Sequence, residues 1–124
     1  FSEITSFLCK PNLSFIPLIT PNTSEERIRQ IDDNSNGFIY MVSSSSITGK
    51  KSSFDDKQIQ YFKDVKGLSL KNPTIIGFGI SDKESFEQAC KYSHGAIIGT
   101  KFIKEISNGN LKESIKDFIA NIRS

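Results

Sequence analysis

Four short apolar runs alternate with amphipathic segments along the chain, and that alternation excludes most folds. The runs are residues 14–20 (SFIPLIT), 37–43 (GFIYMVS), 74–80 (TIIGFGI) and 96–99 (AIIG). Each is short and nearly continuous in its apolar character, as expected of strands buried on both faces rather than one. The intervening segments repeat with helical period. In residues 23–32, Thr23 and Glu26 have capping-box spacing, and Ile28 and Ile31 share a face. Residues 55–68 carry Ile59, Phe62 and Val65 on one stripe. Ser81 and Glu84 again have capping-box spacing and open a helix with Phe86, Ala89 and Cys90 inward. Helical turns follow at 101–106, and a last helix over 111–122 is predicted to bury Leu111, Ile115, Phe118, Ile119 and Ile122. A short helix over 2–8 precedes the first run. The order is α-βα-βα-βα-βα.

Strands of this kind, joined by helices, belong to a parallel sheet, because right-handed crossovers lay helices against it. An open doubly wound sheet and a closed eight-stranded barrel both use the pattern. A (β/α)8 barrel takes about 250 residues, so 124 residues would make half of one. No Gly/Ser linker or change of composition divides the chain, so residues 1–124 are read as a single unit. Alone, four strands would leave two open edges and an uncovered face, which is an aggregation hazard. Phe1 is not an initiator residue, so the sequence reads as cut from something longer.

Composition narrows the functional classes. With 16 basic and 14 acidic side chains mixed along the chain, the net charge is +2, and no basic stripe points to nucleic acid. The apolar runs are too short to cross a bilayer, and no signal peptide opens the sequence. Cys9 and Cys90 form no CxxC or Cys/His pattern for a metal. Both are expected to be buried, reduced core residues, which suits the cytoplasm.

In parallel α/β proteins, ligands gather at the carboxyl ends of strands. Glycine-bearing segments fall there three times: Ile47-Thr48-Gly49, Gly77-Phe78-Gly79-Ile80-Ser81, and Gly99-Thr100. Glycine lets backbone N–H groups approach an anion, and a helix starting at Thr100 would aim its unpaired N–H groups at the same place. Tight turns are the competing use of these glycines. The 14 acidic residues all fall on predicted helices, their caps or flanking turns, so none stands where barrel enzymes place general acids and bases. No predicted strand carries a lysine for a Schiff base. His94, the only histidine, is expected on the surface at the opposite end of the strands. Nothing in these residues carries out a reaction on its own.

Five ordered blocks resemble the tryptophan synthase alpha subunit family. They are Leu18-Ile19-Thr20-Pro21-Asn22-Thr23 with Glu25-Glu26-Arg27-Ile28, Gly37-Phe38-Ile39-Tyr40-Met41-Val42-Ser43, Ile47-Thr48-Gly49, Gly77 to Ser81, and Gly95-Ala96-Ile97-Ile98-Gly99-Thr100. The resemblance covers nearly the whole chain. It implies a TIM barrel of which this is the C-terminal half, strands five to eight with their helices. The activity implied is that of a lyase in tryptophan biosynthesis. It cleaves indole-3-glycerol phosphate to indole and glyceraldehyde 3-phosphate without metal or cofactor. A tryptophan synthase beta subunit, which receives the indole in a heterotetramer, is the implied partner.

By the same resemblance, Gly49, Gly79, Gly99 and Thr100 hold the substrate phosphate. Leu18, Tyr40, Phe78 and Ile97 wall the indole ring, and Thr48 belongs to a mobile loop that closes the site. Thr100 stands where the family usually has serine and keeps the hydroxyl. Ser46 stands where many members have glycine. The family's catalytic glutamate and aspartate lie in the first half of the barrel, outside this sequence, so no catalytic residue carries over. Another phosphate-binding barrel, such as a sugar-phosphate isomerase, and a non-enzymatic open-sheet α/β binding module are the alternatives.

Overall fold

The computed structural model describes residues 13–43 and 53–124. The expected helix at 2–8, Cys9, Ser46, Thr48 and Gly49 lie outside the described residues. The elements run β1 (Leu18–Ile19), α1 (Glu25–Asp33), β2 (Ile39–Val42), α2 (Asp56–Gly67), β3 (Thr74–Gly77), α3 (Lys83–Tyr92), β4 (Ala96–Ile97), α4 (Thr100–Ile106) and α5 (Leu111–Arg123). All strands among the described residues are parallel and pair in the order β1-β2-β3-β4. Sequential order has no switch point, so the doubly wound alternative is ruled out and the half-barrel arrangement stands.

The paired strands are shorter than the apolar runs. Only Leu18 and Ile19 of residues 14–20 join the ladder, and the third strand ends at Gly77 rather than at residue 80. Beyond Gly77 the chain enters positive φ at Phe78 (66°) and Gly79 (73°), which an extended strand does not tolerate.

Register divides the side chains between two unequal faces. Ile19, Ile39, Met41 and Ile76 are fully buried under Ile28 and Ile31 of α1, Phe62 and Val65 of α2, and Ala89 of α3. The opposite face carries Leu18 beside Tyr40, Tyr40 beside Ile75, and Gly77 between Val42 and Ile97. No described helix covers it: Leu18 is 57% exposed, and Tyr40, Val42, Ile75 and Ile97 are only half-buried. Apolar strands on both sides therefore mean one face packed by helices and one turned toward the interior of a barrel.

Local polar chemistry shifts two helix starts from their expected positions. Thr23 does not cap α1. Its hydroxyl accepts the Thr20 N–H at 2.9 Å and closes the preceding turn, so Ser24 takes the cap and accepts the Arg27 N–H. At α3 the capping box is Asp82 with Ser85, one residue beyond the expected Ser81–Glu84 pair. Cys90 is exposed, not buried, because Ala89 takes the inward position. The last helix also buries less than expected. Ile122 is buried and Phe118 meets Phe102 edge-on at 5.4 Å, but Leu111 (55%) and Ile119 (47%) face outward.

The amino ends of the strands are tied by side chains. Asp32, at the end of α1, is buried, and its carboxylate accepts the Lys71 and Asn72 backbone N–H groups at 2.7 and 2.8 Å and the Asn72 amide at 2.8 Å. Burial raises its pKa, but those hydrogen bonds outweigh burial and hold the carboxyl below its ordinary value. His94 meets Thr74 twice: its N–H donates to the Thr74 carbonyl at 2.8 Å, and Nδ1 accepts the Thr74 N–H at 3.1 Å.

Candidate functional site

Parallel register brings the carboxyl ends of all four strands to one edge of the sheet. Gly79 lies two residues past the end of β3, and Gly99 two residues past the end of β4, on adjacent strands. Both glycines are exposed, as is Thr100. Gly99 precedes α4 without a side-chain cap, which leaves the first amides of that helix open to a ligand. The helix begins at Thr100, as read from the sequence.

Gly79 needs its missing side chain for conformation rather than for room. A Cβ there would sit 3.6 Å from Ser43 Oγ and 4.0 Å from Phe54, ordinary contacts, but φ is +73°. Gly77 is the reverse case. Its backbone is an ordinary strand, yet a Cβ would lie 1.9 Å from the Tyr40 hydroxyl oxygen and 2.3 Å from the ring carbon that bears it. The Tyr40 ring thus occupies the space above Gly77. Burial pushes the Tyr40 phenol up from its usual pKa.

The proposed ring-binding residues meet on the bare face. Tyr40 pairs with Leu18 on one side, and Gly77, beneath its ring, pairs with Ile97 on the other. Simple alternation would send Phe78 to the helix side with Ile76. Its left-handed backbone instead brings the ring edge-on to Tyr40, with centroids 5.9 Å apart. Phe78 remains 59% exposed, so the aromatic pair presents an open apolar surface next to the Gly79 turn.

Three polar side chains that the sequence did not single out organise this edge. Ser43 is 2% exposed; its N–H donates to the Gly77 carbonyl at 3.1 Å and its hydroxyl to the Phe78 carbonyl at 2.7 Å. Gln58 donates to the Ser43 carbonyl at 3.1 Å while its own carbonyl oxygen accepts the Asp55 N–H at 2.9 Å. Gln88 accepts the Phe54 N–H at 3.4 Å. The one legible trace was period: Ser43 continues the helix-facing series Ile39, Met41.

Asp55 and Asp82, the carboxylates that follow β2 and β3, are engaged as helix caps. Asp32, the buried one, is at the opposite end. A groove of about 850 Å³ between α1 and α2 is lined by Pro21, Thr23, Glu25, Ile28, Lys57 and Tyr61, and so begins at the turn after β1. It mixes both charges, with Glu25 and Asp64 beside Lys57 and Lys63, and contains none of the glycine turns.

The family model for the tryptophan synthase alpha chain matches residues 2–123. The tryptophan synthase alpha chain of Flavobacterium johnsoniae is 58% identical over 121 residues, which are 98% of this chain and 47% of that one. The solved tryptophan synthase subunit alpha of Campylobacter jejuni superposes with a TM-score of 0.70 at 31% identity, covering 86% of this chain and 43% of that one. A chain from the tryptophan synthase α2β2 complex of the hyperthermophile Pyrococcus furiosus gives a TM-score of 0.74 at 23% identity, covering 97% and 48%. The chain spans about half the length of the curated relatives it matches. Among the described residues, no helix is long and apolar enough to cross a membrane.

Proposed function

The chain belongs to the tryptophan synthase alpha chain family, and on that premise we propose that it supplies the phosphate site and part of the indole pocket of a lyase. The substrate is indole-3-glycerol phosphate, cleaved to indole and glyceraldehyde 3-phosphate in the cytoplasm. The supporting observation is one juxtaposition: the glycine turns at Gly79 and Gly99–Thr100 follow adjacent strands, beside the apolar surface of Leu18, Tyr40, Phe78 and Ile97. Backbone amides at the turns suit a phosphate, and a flat aromatic-lined wall suits an indole. Gly49 and Thr48 join this reading through the family resemblance alone.

The acid–base groups of the reaction are assigned to residues outside this chain, and the segment by itself is proposed to be inactive. A beta subunit is the proposed partner, in line with the α2β2 assembly of the Pyrococcus furiosus protein. Competition on the full-length protein tests the substrate class. Indole-3-propanol phosphate is expected to displace bound substrate at far lower concentration than glycerol 3-phosphate, which lacks the ring. Equal potency of the two would remove the indole pocket from the proposal and favour a sugar-phosphate enzyme.

A further inference from the structure

We propose that Ser43 is a positioning residue that aims the Gly79 amide at the substrate phosphate. The inference rests on the phosphate site proposed above and adds to it the group that orients one of its donors.

The argument starts from the planar trans peptide. The carbonyl of Phe78 and the N–H of Gly79 belong to one peptide unit and point in opposite directions. Whatever holds the carbonyl therefore sets the direction of the N–H. Ser43 continues the alternation of Ile39 and Met41, so its side chain lies on the helix-covered side, where it is 2% exposed. There its hydroxyl donates to the Phe78 carbonyl at 2.7 Å. The Gly79 N–H is thereby directed the other way, toward the bare face with Tyr40 and the Phe78 ring. No described residue accepts a hydrogen bond from that N–H, which leaves it available to a ligand.

The turn needs such a hold. Phe78 has φ 66° and Gly79 φ 73°, and a left-handed non-glycine residue persists only where surrounding contacts over-determine it. Ser43 supplies two of those contacts, its N–H to the Gly77 carbonyl and its hydroxyl to the Phe78 carbonyl. It is itself held by Gln58, whose amide donates to the Ser43 carbonyl at 3.1 Å from a helix capped by Asp55. The chain of contacts runs from the α2 capping box through Gln58 and Ser43 to the peptide that bears the donor.

The test is a titration of the full-length protein with inorganic phosphate, followed through the ¹H–¹⁵N signals of Gly79 and Thr100. In the unaltered protein both signals should move. Ser43→Ala should weaken phosphate about fivefold, the equivalent of one hydrogen bond of about 1 kcal/mol. It should also shrink the Gly79 response while sparing that of Thr100, a split that general loosening would not produce. Ser43→Cys, which keeps the size of the side chain but donates weakly, should fall between the two and serves if the alanine variant does not fold. Unaltered affinity and an unaltered Gly79 response in both variants would overturn the role of Ser43 alone. A Gly79 signal that ignores phosphate in the unaltered protein would overturn the phosphate site, and this inference with it.

Discussion

The two ends of the same four strands are finished with different kinds of bond. At the amino ends, side chains saturate the backbone: Asp32 takes three N–H groups from Lys71 and Asn72, and His94 takes the Thr74 N–H. At the carboxyl ends of β3 and β4, glycine turns leave amides open at Gly79 and Gly99, and Ser43 there holds the Phe78 carbonyl instead. One end is closed by its own residues, and the other keeps open amides where the phosphate site is proposed. The contrast follows the division of labour in parallel α/β proteins, with stability at the amino ends and ligands at the carboxyl ends.

The largest effect that could break this division is expected at Asp32. Asp32→Ala leaves the buried Asn72 donors and the part-buried Lys71 N–H without an acceptor and should cost about 3 kcal/mol in urea unfolding at pH 7. Because the folded carboxyl titrates below its unfolded value of about 3.9, its stabilisation is complete above that value. It is lost as pH falls through the folded pKa. The gap between the unaltered protein and Asp32→Ala should therefore narrow below about pH 4. Phosphate affinity of the folded variant should stay unchanged. A gap that holds constant into acid would show that the charge on Asp32 contributes nothing.

At the other end, Gly77→Ala sharpens the comparison. The new methyl would meet the Tyr40 hydroxyl and ring, so Tyr40 must leave its place above Gly77 or the strand must shift. Overpacking of this kind costs about 1–3 kcal/mol, and here it should also weaken indole-3-propanol phosphate. Adding Tyr40→Ala relieves the clash, so the two changes should be coupled by about 1 kcal/mol or more in a double-mutant cycle. Strict additivity would mean that Tyr40 does not rest on Gly77.

How much of this was legible in the sequence depends on the range of the interaction. The strands and helices were readable because apolar period is a local property. The inequality of the faces was not, since Leu18, Tyr40 and Val42 are as apolar as Ile19, Ile39 and Met41; only packing distinguishes them. The helix caps were missed by one residue because Thr23 and Ser81 have the right spacing, yet Thr23 closes a turn and Asp82 is the better acceptor. The placement of Gly79, Gly99 and Thr100 just past strand ends was legible through ordered motifs. Ser43, Gln58 and Asp32 act across 35, 15 and 40 residues, and no local pattern announces such pairs. Gly77 looked like a turn glycine until Tyr40, from another strand, was seen lying on it.

The smallest effect is expected at His94, and it tests the amino end most cleanly. The Nδ1 atom can accept the Thr74 N–H only when it carries no proton, so the bond requires the neutral ring with its hydrogen on Nε2. Thr74 is buried but His94 is exposed, so water can partly replace a lost imidazole. His94→Ala should therefore cost about 1 kcal/mol, visible as a lower thermal midpoint. The backbone bond from the His94 N–H to the Thr74 carbonyl survives the substitution and limits the loss. The Gly79 and Thr100 amides, at the far end of the same strands, should respond to phosphate as before. If their response changed instead, strain would be passing along β3 from one end to the other, and the two ends could no longer be treated as independent.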